Sequence, residues 1–174
     1  MKQGFFLAVF LISLVIPCNA QITGLQLGNK APEIAMQNPE GVLLNLKEWQ
    51  GKLVLIDFWA SWCAPCRKSN KKLAALYRQY MNKPIGKAQG FEIFSISLDH
   101  QINAWKYAIS NDELIWKGHV SDLKGWENEA AKRYQIEAIP FNILIDEKGI
   151  IIGKNLSEME LMLLLKERQE QSAN

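Results

Sequence analysis

Two cysteines set at the meeting point of two different periodicities constrain this chain more than any other feature. Residues 57–66 read Asp57-Phe58-Trp59-Ala60-Ser61-Trp62-Cys63-Ala64-Pro65-Cys66. Before them, Leu53-Val54-Leu55-Ile56 is a branched apolar run with the length of a buried strand. After them, Leu73, Leu76, Tyr77 and Tyr80 recur at three- and four-residue spacing, the pattern of a helix with one buried face. The cysteines therefore fall where a strand hands over to a helix. Pro65, one residue before Cys66, fits a first helical turn because the N–H it lacks would have no intrahelical partner there.

That position has chemical consequences. Free backbone N–H groups and the positive end of the helix dipole favour negative charge at Cys63. A thiolate is the attacking species in disulfide exchange, and cysteines so placed have pKa values lowered to roughly 3.5–7.5. Cys66 shares a helical face with Cys63 and can close a ring with it, so the pair can hold two electrons and pass them on. Two blander readings stay open. Zinc would need two further thiolate or imidazole ligands, and only His100, His119 and the distant Cys18 are available. A purely structural disulfide would restrict the unfolded chain very little, because the loop it closes is so short.

The segment that runs on to Arg67 resembles the active-site segment of the thioredoxin superfamily, within it the TlpA/ResA-like group of exported thiol–disulfide oxidoreductases related to AhpC/TSA peroxiredoxins. The resemblance extends from about residue 28 to about residue 166. It implies a thioredoxin-like three-layer α/β/α sandwich with a mixed central sheet and an added N-terminal β-hairpin.

The first twenty residues stand apart from that domain. Lys2 gives a small positive start, residues 5–16 are apolar apart from Ser13, and Pro17 precedes Cys18-Asn19-Ala20, which offers small residues for cleavage. An apolar run of about 12 residues is too short to span a bilayer. The expected organisation is a signal peptide over residues 1–20 and a thioredoxin-like domain over 21–174, placing the mature protein in the periplasm. A retained anchor is one alternative. Lipid attachment at Cys18 is another, but Pro17 stands where lipoproteins carry a small residue. Of three cysteines in the whole chain, cleavage would leave only Cys63 and Cys66, an inventory suited to exchange rather than stapling. A net charge of +2 offers no basic field for nucleic acid.

Along the rest of the chain, residues 31–36 and 42–46 read as short strands around a Pro39-Glu40-Gly41 turn, followed by a turn at 47–51. Residues 82–90 are a long connection and 91–98 a central strand. Helices are expected over 101–110 and 126–134, with a short strand or extended loop at 116–120. Residues 139–146 resemble the cis-proline strand of the superfamily, which would bring the backbone of Ile139 beside the cysteines to pair with an extended substrate. A turn at 146–149 leads into a strand at 150–152. Ser157 with Glu160 forms a capping box for a last helix, and 169–174 reads as a polar tail.

The resemblance implies roles. Cys63 is the attacking thiolate and Cys66 the resolving thiol. Asp57 matches the buried acid of thioredoxins and would take a proton from Cys66; the residues expected in the neighbouring strand hold no lysine to pair with it. Trp62, Ala64, Pro65, Ile139 and Pro140 would form the substrate surface, with Trp59 in the core and both histidines on the surface or in loops. Ala64-Pro65 resembles the dipeptide of reducing thioredoxins, which favours a disulfide reductase acting on exported substrates, with apocytochrome c maturation one candidate setting. Its partners would be disulfide-bearing exported proteins and a membrane thiol electron donor; the domain would be a monomer with no cofactor or metal. A peroxidase would carry a Thr upstream of its cysteine, where this chain has Trp59 and Ser61. An oxidase or isomerase, or a non-catalytic binding module, completes the alternatives.

Overall fold

The computed structural model describes residues 21–172. The expected signal peptide and Cys18 lie outside the described residues. The expected hairpin forms first, with β1 (Ala35–Gln37) antiparallel to β2 (Leu43–Asn45) in a sheet of their own. A 3₁₀ turn at Leu46–Trp49 then leads through Gly51, whose φ of 92° suits glycine, into β3 (Leu53–Trp59). Helix α1 (Ala64–Tyr80), β4 (Phe91–Ser97), α2 (Ile102–Asn111), β5 (Gly118–Val120), α3 (Glu129–Arg133), β6 (Phe141–Ile145), β7 (Ile151–Lys154) and α4 (Glu158–Ser172) follow. The main sheet has the order β5-β4-β3-β6-β7. Strand β3 runs parallel to β4 and antiparallel to β6, so the sheet is mixed and the strand that leads to the cysteines is its middle one.

Every residue of β3 is buried, which is why its sequence is continuously apolar up to Asp57 instead of alternating. Leu55 and Asp57 face α1 and α4, where they border a cavity with Leu73, Leu76 and Leu161. Phe58 points to the opposite face and meets the ring of Tyr134, just after α3, at 5.6 Å. Each fully buried Leu, Ile or Phe of this strand contributes about 1.5–3 kcal/mol of transfer free energy. That rigid strand fixes where the cysteine turn begins.

Three local expectations need correction. The helix expected over 126–134 is split: a 3₁₀ turn occupies Gly125–Glu127, and α3 restarts after Asn128, whose side chain accepts the N–H groups of Ala130 and Ala131. The tail expected from residue 169 is helical through Ser172, because the end of α4 packs on the 82–90 connection; Gly86 N–H donates to Arg168 O (2.8 Å). His119 is no surface residue: it is buried in β5 with its ring stacked on Trp116 (5.2 Å), and burial pushes its pKa down to about 4.

Candidate functional site

Strand β3 ends at Trp59, and a tight turn follows in which Cys63 N–H donates to Ala60 O (3.1 Å). Cys63 is the N-cap of α1, with an extended backbone that sets its sulfur over the first helical turn. Pro65 occupies that turn without sacrificing a hydrogen bond, as its spacing implied. Cys63 and Cys66 are joined in a disulfide (S–S 2.05 Å, Cα–Cα 5.2 Å). The N–H of Cys66 points at Cys63 Sγ from 3.2 Å, so a backbone dipole is aimed at that sulfur. Cys66 is fully buried, whereas Cys63 keeps 6% of its surface open to solvent.

Across from the cysteines, the Ile139–Pro140 peptide bond is cis and the carbonyl oxygen of Ile139 lies 3.9 Å from Cys63 Sγ. Ile139 is half-buried and Pro140 exposed. Ala64 and Pro65 are exposed on the helix side of the sulfur. Trp62 is 54% exposed and anchored by its indole N–H, which donates to Leu98 O (3.3 Å). Trp126, 45% exposed, comes from the 3₁₀ turn before α3, with its ring 6.4 Å from that of Trp62. Of the five residues expected around the cysteines, Trp62, Ala64 and Pro65 adjoin them in the chain, Ile139 is brought to Cys63 by the fold with Pro140 next to it, and Trp126 lies beside Trp62.

Asp57 sits in β3, six residues before Cys63. In register it is flanked by Ser95 of β4 and Asn142 of β6. Neither flanking position supplies a cation, and Oδ2 of Asp57 has no hydrogen-bond partner among the described residues. Burial without a compensating charge pushes its pKa up to about 7. It borders a cavity of about 380 Å³ together with Ser69, Pro140, Asn142 and Ser157. A carboxyl so shifted changes its charge near neutral pH.

Of the ligands the zinc alternative would draw on, His119 is buried in β5, His100 sits against Gly125 and Cys18 lies outside the described residues, among which no group of three or more His, Cys, Asp or Glu side chains suited to a metal occurs. Three residues escaped the sequence reading. Asp99, Arg67 and Trp126 all bear on the cysteine turn. The first two carried a faint signal, an acid ending the strand beside β3 and an arginine one residue past Cys66; Trp126 carried none, because it comes close only through the fold.

Residues 51–151 match the family model described as thioredoxin-like. The chain belongs to the thioredoxin-like family. Among curated relatives it is similar to the thiol-disulfide oxidoreductase ResA of Bacillus thuringiensis subsp. konkukian, at 32% identity over 128 residues, covering 74% of this chain and 68% of the relative. Among solved structures it is similar to the thioredoxin domain of a thiol-disulfide oxidoreductase from Bacteroides vulgatus, with 31% identity and a TM-score of 0.73 over 84% of this chain and 99% of that one. A thiol-disulfide oxidoreductase from Bacteroides fragilis gives 34% identity and a TM-score of 0.70 over 80% of this chain and 98% of that one. With Cys63 and Cys66 as its C-x-x-C pair, this thioredoxin-like protein is a thiol–disulfide oxidoreductase of the ResA type.

Proposed function

We propose that the protein reduces disulfides of exported proteins, with Cys63 as the nucleophile, Cys66 as the resolving thiol and Asp57 as the proton acceptor. In the reduced protein the Cys63 thiolate attacks one sulfur of the substrate disulfide. The substrate S–S bond breaks, a mixed disulfide forms, and one substrate thiolate leaves and takes up a proton. Cys66 then loses its proton towards Asp57 and attacks Cys63 Sγ, which expels the second substrate thiol. Two electrons pass to the substrate, and the domain ends with the Cys63–Cys66 disulfide.

One observation carries this reading: the partly open sulfur caps α1, receives the Cys66 N–H at 3.2 Å and lies 3.9 Å from the carbonyl of Ile139. An extended substrate segment laid along Ile139 and Pro140 would pair with that backbone and present its disulfide to Cys63. Trp62, Ala64 and Pro65 would supply the apolar rim around it. The raised pKa of Asp57 supports its part, since a base for a thiol must titrate near working pH.

The setting belongs to the same proposal. Residues 1–20 would direct export and be removed, leaving a monomeric periplasmic domain over 21–174. A membrane thiol carrier would return it to the dithiol form, and immature c-type cytochromes are one candidate substrate. No helix among the described residues is long and apolar enough to cross a membrane. The test is dithiothreitol-driven reduction of insulin by purified protein. The wild type is expected to turn over, Cys63→Ser to be inactive, and Cys66→Ser to accumulate a mixed disulfide through Cys63. Retained turnover in Cys63→Ser would refute the assignment.

A further inference from the structure

The turn that delivers Cys63 is gripped by residues outside the C-x-x-C motif. Ser61 donates its backbone N–H to Asp99 Oδ2 (2.9 Å) and its hydroxyl to Asp99 Oδ1 (2.5 Å). The Ser97 hydroxyl also donates to Asp99 Oδ2 (2.7 Å) and accepts the N–H of Asp99 (3.0 Å). On its other side, Ser61 O accepts from Arg67 Nη1 (3.2 Å), and Arg67 is held in turn by the buried carboxylate of Asp112. Both polar backbone groups of Ser61, two residues before Cys63, are therefore tied down. The next side chain, Trp62, is bound to Leu98 O, immediately before Asp99.

Asp99 is only 1% exposed. A carboxylate so hidden from water is costly unless donors surround it, and here all three side-chain bonds come from the β4 end and the cysteine turn. The carboxylate joins two strand ends that the C-x-x-C pair itself does not join. We propose that Asp99 is a positioning residue of the exchange reaction, which by clamping Ser61 holds Cys63 in place in both oxidation states and keeps the couple reducing. This rests on the exchange chemistry proposed above.

The direction follows from what each oxidation state has to lose. In the oxidised protein the disulfide itself pins Cys63 to α1. After reduction that covalent tie is gone, and the hydrogen bonds to Asp99 and Arg67 hold the turn. Without Asp99 the reduced turn gains conformational freedom that the oxidised turn cannot, which favours the dithiol. Removing a negative charge from the neighbourhood of a thiolate acts in the same sense.

The experiment equilibrates the purified protein with reduced and oxidised glutathione, where the domain disulfide and two glutathione thiols exchange for the dithiol and glutathione disulfide. For Asp99→Asn the equilibrium constant for reduction should rise on the order of ten-fold, about 30 mV for a two-electron couple. Ser61→Ala, which deletes one of the three bonds and leaves the charge, should move it the same way by about three-fold. A smaller response from the variant that keeps the carboxylate follows from the same account. An unchanged constant in folded Asp99→Asn overturns the proposal. Should that variant fail to fold, an unchanged constant in Ser61→Ala overturns it instead. A wild type that does not equilibrate with glutathione at all would sink the exchange reading and this proposal with it, whereas normal equilibration with unresponsive variants would sink the proposal alone.

Discussion

Asp57 makes a prediction that needs no substrate. Its carboxyl is buried in β3, one oxygen lacks a partner among the described residues, and burial moves its pKa from an ordinary 3.8 to about 7. A raised folded-state pKa means that the native protein holds a proton which the unfolded chain releases. Stability from this group is fully present below pH 4 and is lost as pH rises through 7. At about 1.4 kcal/mol per pH unit, the loss accumulates between these limits to about 4 kcal/mol and then levels off. Asp57→Asn matches the shape of the neutral acid and cannot ionise. The variant should therefore equal the wild type near pH 4 and exceed it by about 4 kcal/mol at pH 8, or about 8–16 °C in Tm for a domain of this size. Urea denaturation of the oxidised proteins at several pH values between 4 and 9 reads this directly, because neither cysteine titrates in the disulfide. His119, whose lowered pKa acts in the opposite sense by withdrawing stability as pH falls towards 4, cancels between the two proteins. A stability difference that stays constant across this range would show that Asp57 is already ionised in the native state, and the proton-acceptor role would fall with it.

Two further perturbations probe the docking rim and the sheet. Trp126→Ala removes an exposed ring that contacts Trp62, so folding should be unaffected; KM for insulin should rise about three- to ten-fold with kcat unchanged. A small aromatic disulfide such as Ellman's reagent should react at the wild-type rate, and an equal loss on both substrates would remove Trp126 from substrate docking. Gly118→Ala would place a Cβ 2.5 Å from the backbone oxygen of Ile93 and 3.2 Å from Cα of Phe94, neither of which can swing away. It should cost about 2–3 kcal/mol, seen as a lower urea midpoint, and an unchanged midpoint would mean that β5 can shift outward freely.

The strand–turn–helix around the cysteines was legible because each part has a strong local signal: an apolar run, a proline one residue before Cys66 and a three-and-four spacing afterwards. The Ser157–Glu160 capping box was legible for the same reason, and it forms as expected, with Ser157 N–H donating to Glu160 Oε2 (2.8 Å). The errors fall where tertiary contacts outweigh local pattern. His119 belongs to a three-residue strand too short to show alternation, and Trp116 stacks over it. The break at Asn128 is a capping event inside an otherwise helical stretch, and propensity alone runs through it. Asp99 was visible as an acid after a strand, but nothing local says that its donors come from a turn thirty-eight residues earlier. Trp126 is the extreme case: its neighbour Trp62 was identified in the motif, and only the folded sheet brings the two rings together.

The carbonyl that lies 3.9 Å from the sulfur of Cys63 comes from a residue 76 positions later in the chain. Strand β6, which leads away from that carbonyl, is the partner of β3 on the side away from β4. If a client docks along Ile139 as proposed, a chain that has made only its first half owns both thiols but lacks the edge on which to seat it. On the proposed docking, turnover of a protein substrate waits for the closing of the sheet and so doubles as a readout of completed folding.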